Sequence, residues 1–157
     1  EERRPANLPK SIVSAEAYEI HQELLATGRD LYDPHIATRL DAGADIPAYD
    51  YIAMHRDRAD LCARVAAITR PFDALVLPTT PATPLPIDGL EEVDARMKAS
   101  ARALRNTALS NYLDRPTITI PCHAQGAVPT GLSLIGSRHH DRRLLAIAAG
   151  LEALIRS

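Results

Sequence analysis

The chain has 157 residues, with 18 basic and 20 acidic side chains, so its formal net charge is −2. This near balance argues against a nucleic-acid-binding module, which usually carries a basic surplus. A hydrophobic content of 46% argues against disorder, and no apolar run approaches the roughly 18 residues of a membrane span. The two cysteines form neither a disulfide framework nor a metal motif, which favours a reducing, cytoplasmic environment.

The first predicted element is a helix over about 11–25. Apolar residues recur there at helical spacing, and we expect the resulting stripe to face the core. The stripe comprises Val13, Ala17, Ile20 and Leu24.

Two further helices complete the first half of the chain. Asp33 before Pro34 is typical of an N-cap followed by proline in the first turn, which predicts a short helix ending near Gly43. Pro47 similarly predicts a longer helix over about 48–69. Its expected inward stripe consists of Leu61, Cys62, Val65 and Ile68.

The pattern changes after residue 70. A short apolar run at 72–77 is too brief for a helix and predicts a buried strand. Four prolines then occur within 78–86, a density that excludes regular structure because proline lacks a backbone donor. This segment is therefore either a linker or the rigid wall of a site.

The remaining elements alternate helix and strand. We predict a helix over 90–113, strands over 117–120 and 132–135, and a final helix carrying an apolar face through Leu144 and Ile155. The prediction is an α/β fold in which a helical part, 11–70, precedes a strand–helix–strand part, 71–157. Three strands form only part of a sheet, and the chain begins with Glu rather than Met, so we expect it to belong to a longer protein.

Spacing alone reveals no active site. Adjacent side chains project in different directions, so His139-His140-Asp141 is expected to be a polar helix start rather than a metal site. No nucleophile elbow or phosphate-binding glycine motif is present. Cys122 beside His123 is expected to be a buried or half-buried thiol, because a catalytic pair normally meets across the fold.

Ordered blocks of sequence nevertheless form a recognisable series. They are AEAY at 15–18 with His21, YDY at 49–51 with Arg56, FDALVLPTTP at 72–81, RNT at 105–107 with Asn111, RPTITIPC at 115–122 and TGLSLIG at 130–136. In order and spacing, the chain resembles the C-terminal third of an amidase signature enzyme. Many relatives have glycine just before the proline of the central strand block, whereas this chain has Asp114-Arg115-Pro116.

The resemblance implies the amidase signature fold, with a mixed β-sheet covered by helices, and hydrolysis of a carbon–nitrogen amide bond by a Ser–cis-Ser–Lys triad. No residue here matches that triad, so no catalytic residue, metal or cofactor is assigned, and the isolated chain is expected to be inactive. The implied partners are a small-molecule amide substrate and the N-terminal remainder of the enzyme. Exposed apolar surface would also favour a homodimer.

The best candidate for a wall of the substrate pocket is the loop that contains Thr79 and Thr80, although a purely structural turn is an alternative. Tyr18 and His21 lie in a region that approaches the substrate in relatives. The alternative for them is an ordinary packed tyrosine and a surface histidine.

Arg105 and Asn111 are interpreted as structural support, bonding backbone carbonyls to fix the loop. The substrate class stays open among a small aliphatic amide, an aryl amide and a carboxy-urea, and an aminoacyl-tRNA amidotransferase A subunit is a further option. Two alternative functions are a stand-alone, non-catalytic binding module on an amidase scaffold and an enzyme that uses Cys122.

Overall fold

The structure is a computed structural model and describes residues 11–88, 90 and 92–155. Within them, the helices are α1 (Ile12–Gly28), α2 (Pro34–Asp41), α3 (Ala48–Thr69), α4 (Val93–Leu104), α5 (Thr107–Leu113) and α6 (Asp141–Ile155). The strands are β1 (Leu75–Pro78), β2 (Thr117–Pro121) and β3 (Gly131–Ile135), and a 3₁₀ turn covers Arg29–Leu31. The α/β class predicted from the sequence is confirmed.

The chain forms two compact units, of which the first ends at Ala59 and the second begins at Asp60. The division falls within α3, so this helix contributes residues to both units. None of the described helices is long and apolar enough to cross a membrane.

Helix α1 forms where the sequence predicts it, but its inward face is not the predicted one. Ser11 caps the helix by accepting a hydrogen bond from the Ser14 N–H at 3.0 Å. Val13, Ile20 and Leu24 are 70%, 69% and 57% exposed, so the expectation that their stripe faces the core is wrong. The stripe lies on the outer side because neighbouring helical positions hold the buried side chains.

The core of the first unit lies between α1 and α2. Its buried residues are Leu25, Ala37 and Leu40, and Ala17, Tyr18 and Tyr32 pack against them. Helix α2 begins as predicted, because the Asp33 carboxylate accepts a hydrogen bond from the His35 N–H at 2.8 Å.

Gly43 permits a close approach to α1 after the end of α2. A Cβ atom at this position would lie 1.9 Å from the Ser14 carbonyl oxygen and 2.7 Å from the Tyr18 Cβ. Any larger residue would therefore force the segment after α2 away from α1.

Helix α3 has the predicted bounds, and three of its four predicted inward residues, Leu61, Cys62 and Val65, are partly buried. The fourth, Ile68, is exposed, so its predicted burial is wrong.

The sheet of the second unit has the strand order β1-β3-β2, and both described pairings are antiparallel. Strand β1 begins three residues later than predicted, at Leu75. Its predicted burial is also wrong, because β1 lies at one edge of this sheet and Val76 is exposed. Strands β2 and β3 agree with the predictions to within one residue.

Helix α6 packs against the sheet and forms the core of the second unit. The buried members are Ile120, Leu134, Leu144 and Ala148. The helix begins at Asp141, so His139 and His140 stand just before a helix start, as the sequence predicts.

The single helix predicted over 90–113 is wrong, because two helices, α4 and α5, occupy this segment. The break falls at Arg105 and Asn106. There the Asn106 side chain donates a hydrogen bond to the Pro78 carbonyl at 2.7 Å, across 28 residues of sequence. A tertiary contact of this kind does not appear in the local apolar pattern.

Candidate functional site

Three hydroxyl groups meet at one end of the sheet in the second unit. The Thr79 Oγ1 lies 2.8 Å from the Ser133 Oγ and 3.2 Å from the Thr119 Oγ1, and the last two oxygens are 3.1 Å apart. We refer to Thr79, Thr119 and Ser133 as the hydroxyl triangle. Ser133 is 4% exposed, Thr79 is partly buried and Thr119 is exposed.

The strand register explains why these three side chains converge. Ser133 pairs with Leu77 on one side and with Thr119 on the other. Thr79 lies two residues beyond Leu77, so its side chain points to the same face of the sheet. The Thr79 N–H extends the ladder by donating to the Gly131 carbonyl at 2.8 Å.

Gly131 leaves the space that the hydroxyl triangle occupies. A Cβ atom there would lie 2.7 Å from the Thr119 Cγ2 and 2.9 Å from the Thr79 Oγ1. Both contacts are closer than real Cβ atoms show, so glycine at 131 keeps the two threonine side chains near Ser133.

The proline-rich loop leaves the sheet at the hydroxyl triangle. Within this loop, the Thr80 hydroxyl donates to the Ala82 carbonyl at 2.9 Å, and the Asn106 amide holds the Pro78 carbonyl. Thr80 is exposed, whereas the Thr79 hydroxyl already takes part in the triangle. The structure thus brings Thr79 and Thr80 to a sheet end rich in neutral polar groups.

Asn106, which follows Arg105 in the chain, makes a direct hydrogen bond to the start of the proline-rich loop. Asn106 binds the Pro78 carbonyl, and the Arg105 Nε lies 3.5 Å from the Asn106 Oδ1. The Asn111 carbonyl accepts a hydrogen bond from the Asp114 N–H at 3.3 Å, at the end of α5. The sequence-based assignment of site residues does not include Thr119, Ser133 or Asn106.

Tyr18 and His21 lie on α1 in the first unit, where both have packing partners. The His21 Nδ1 is 2.8 Å from the Tyr32 hydroxyl, and the two rings meet edge to face at 5.8 Å. Tyr18 packs against the core of α1 and α2. Their assignment to the substrate pocket stays a prediction.

Two ionisable contacts in the first unit shift pKa values. The Arg29 guanidinium binds the Asp41 carboxylate at 2.5 and 3.0 Å, and this hydrogen bonding lowers the pKa of Asp41. The Tyr51 hydroxyl donates to the Glu16 carboxylate at 3.0 Å, which raises the pKa of Tyr51. Both contacts lie on the surface.

Cys122 is exposed, so the prediction of a buried or half-buried thiol is wrong. Its Sγ lies 3.7 Å from the Thr130 hydroxyl, while the Nδ1 of His123 lies 3.2 Å from the Thr130 nitrogen and 3.1 Å from its carbonyl oxygen. The His123 Nδ1 is therefore directed at backbone rather than at the neighbouring thiol.

An open depression of about 570 Å³ lies at the start of α6, lined by residues 139–143. Ion pairs flank it, one between Arg138 and Asp114 at 2.7 Å and one between Arg143 and Asp73. Across the described residues, no group of three or more His, Cys, Asp or Glu side chains lies close enough together to hold a metal ion.

Comparison with protein families gives a match that spans most of the chain. The family model described as Amidase matches residues 6–145. The chain belongs to the amidase family. The resemblance inferred from the ordered sequence blocks is thereby confirmed.

Curated relatives agree with this membership. A 2-amino-5-chloromuconic acid deaminase of Comamonas testosteroni is 31% identical over 140 residues, covering 83% of this chain and 30% of the relative. An amidase of Pseudomonas putida is 30% identical over 116 residues, covering 71% of this chain and 24% of the relative. The chain therefore spans less than a third of the length of these relatives.

Solved structures show the same fold. An amidase crystal structure superposes with a TM-score of 0.74 at 24% identity, covering 94% of this chain and 34% of that one. The S177A allophanate hydrolase of Kluyveromyces lactis gives a TM-score of 0.77 at 21% identity, covering 91% and 24%. The amidase family fold thus extends over both halves of the sequence.

Proposed function

We propose that this chain is the C-terminal segment of an amidase that hydrolyses the carbon–nitrogen bond of a small-molecule amide. The observation that carries the proposal is the family match over residues 6–145. The deaminase and the Pseudomonas putida amidase are 31% and 30% identical to the chain. Each relative is more than three times as long as the region that it shares with the chain. In this proposal, the remainder of the enzyme is the first partner of the segment.

The proposed chemistry is nucleophilic catalysis by a Ser–cis-Ser–Lys triad supplied by that remainder. A neutral lysine takes the proton of the nucleophilic serine through the bridging serine, and the serine oxygen attacks the amide carbonyl carbon. The carbon–nitrogen bond breaks, the amine leaves with a proton, and water then hydrolyses the acyl-enzyme. Backbone N–H groups stabilise the negative oxygen during both steps.

The present segment supplies scaffold and part of the substrate pocket. Support for this role comes from the loop at Thr79 and Thr80, which leaves the sheet at a set of fixed hydroxyl groups. Its first residues are held by the Asn106 amide and by the Gly131 carbonyl. Because this loop is held in place before the substrate binds, substrate binding does not incur the entropy cost of ordering the loop.

We also propose that the protein is located in the cytoplasm. Cys62 and Cys122 are free thiols, which supports a cytoplasmic location because disulfides are rare in that compartment. Large apolar side chains are exposed in both units, and either the remainder of the enzyme or a second copy would cover them.

The direct test compares the 157-residue chain with the complete protein encoded by the same gene. Both are purified and assayed for release of ammonia or amine from an aliphatic amide, an aryl amide and a carboxy-urea. We expect hydrolysis of at least one substrate by the complete protein and none by the 157-residue chain. Activity of the isolated chain would refute its scaffold role. A folded but inactive complete protein would instead favour the non-catalytic binding module.

A further inference from the structure

Strand β1 carries backbone groups that point away from the rest of the sheet. The Thr79 N–H donates to the Gly131 carbonyl, so every second residue back along β1 also bonds to β3, and the residues between them do not. The N–H and the carbonyl of Val76 therefore project from the outer edge of β1, the edge that faces away from β3. Within the described residues, neither group has a hydrogen-bond partner.

The far end of this edge is already occupied by a side chain. The Pro78 carbonyl also points outward, and the Asn106 amide donates to it at 2.7 Å. Proline has no N–H, so the two groups of Val76 are the open pair within β1. An open edge that carries apolar side chains readily pairs with another strand.

The Val76 side chain lacks the cover that its neighbour has. Val76 lies directly opposite Leu134, which is buried in the core beneath α6. Helix α6 packs mainly on β2 and β3, and Val76 is 57% exposed. Residues 74–77 are nevertheless all apolar, a pattern typical of strands buried on both faces. The sequence of β1 thus predicts more cover than the described residues supply.

We propose that the outer edge of β1 is the junction with the N-terminal remainder of the enzyme, which supplies a strand that pairs with Val76 and an apolar layer that covers its side chain. The inference rests on the proposed function, in which this chain is one segment of a longer amidase. The chain covers 30% of the Comamonas testosteroni deaminase and 24% of the Pseudomonas putida amidase, so such enzymes contain ample further sequence for this role.

A second copy of the chain fits this edge less well. Symmetric pairing of two β1 strands would use only the Val76 groups of each copy, because Pro78 has no donor and its carbonyl is taken. Those few hydrogen bonds would have to offset the entropy lost when two molecules associate. A strand of the same polypeptide avoids that cost.

Val128 provides a matched control. It is the same residue type and is 56% exposed, against 57% for Val76, but it lies in the connection between β2 and β3. Its N–H also has no partner within the described residues. The two valines therefore differ in their place relative to the sheet rather than in their exposure.

The first test measures hydrogen exchange of single amides in the complete protein encoded by the same gene. We expect the Val76 amide to exchange about a hundredfold more slowly than the Val128 amide, because a paired amide exchanges only when the ladder opens. Equal exchange of the two amides would overturn the inference. Protection of Val76 that disappears on tenfold dilution would assign the edge to a second copy and would also overturn it.

The second test compares the thermal midpoints of Val76→Asp and Val128→Asp in the complete protein. A charge placed under the proposed cover is expected to lower the midpoint by about 5 °C or more, whereas Val128→Asp is expected to change it by about 1 °C or less. Val76→Thr, which keeps the shape of valine, replaces the aspartate variant if the latter does not fold. Equal midpoints for the variants at the two positions would contradict the junction.

The same protein preparation distinguishes this inference from the proposed function. An active amidase whose Val76 amide is unprotected would overturn the junction and leave the proposed function standing. A complete protein that protects Val76 but hydrolyses no amide would support the junction and contradict the proposed function.

Discussion

At the scale of single residues, Asp114 stands in a backbone conformation that favours glycine. It follows α5 with φ of 54° and ψ of 51°, and its N–H donates to carbonyls of the preceding turn. Most residues with a Cβ lose about 1 kcal/mol or more in this left-handed region.

This conformation predicts an order of stability for two variants. Asp114→Ala and Asp114→Gly both lose the ion pair with Arg138, so the comparison between them isolates the backbone. We expect the glycine variant to be more stable by about 1 kcal/mol, because only alanine keeps the steric cost of the left-handed conformation. Urea unfolding of the two variants measures the difference, and an alanine variant at least as stable as the glycine variant would contradict it.

The hydroxyl triangle also depends on the placement of single residues. The sequence indicates Thr79 because its loop is rigid and hydroxyl-rich, but it does not indicate Thr119 or Ser133. Their convergence depends on the register of β2 and β3, and a one-residue shift would turn each side chain to the other face. The alternation of threonine and isoleucine along 117–120 indicates which face Thr119 occupies, but not what lies opposite it.

At the scale of elements, the ion pair of Arg29 and Asp41 connects the 3₁₀ turn after α1 to the end of α2. The contact lowers the pKa of Asp41 in the folded state relative to its ordinary value. A lowered folded-state pKa contributes stability above the unfolded-state value, near 4, and that contribution disappears as the pH falls through the folded-state value.

Asp41→Asn is therefore expected to lower the urea midpoint slightly at pH 7 and to have no effect in acid below the pKa of Asp41. The effect is small because both side chains are exposed. Asp30→Asn is a matched control, since Asp30 lies in the same turn and the described contacts give it no ion pair. A midpoint difference for Asp41→Asn that persists at low pH would show that the ion pair is not its cause.

Element boundaries follow the sequence where the signal is local. Asp33 with Pro34 fixes the start of α2, and prolines delimit α3 and β2, because capping and proline geometry act within a few residues. The break between α4 and α5 coincides with the contact from Asn106 to Pro78, and the inward face of α1 depends on the packing of α2. Helical periodicity alone predicts neither the break between α4 and α5 nor the inward face of α1.

At the scale of the whole molecule, large apolar side chains remain exposed in each unit. Leu31 in the first unit is 86% exposed and Ile87 in the second is 85% exposed, alongside the stripe on α1. A partner that covers such side chains removes apolar surface from water, which is favourable. This agrees with the proposal that the segment functions within a longer amidase.

The most direct measurement for that central proposal is the sequence of the gene immediately upstream of the codon for Glu1. The proposal predicts an open reading frame that continues upstream and encodes a lysine, followed by a glycine- and serine-rich block with two spaced serines. A start codon directly before the Glu1 codon would contradict it, because the chain would then be a stand-alone protein without the residues of the proposed triad.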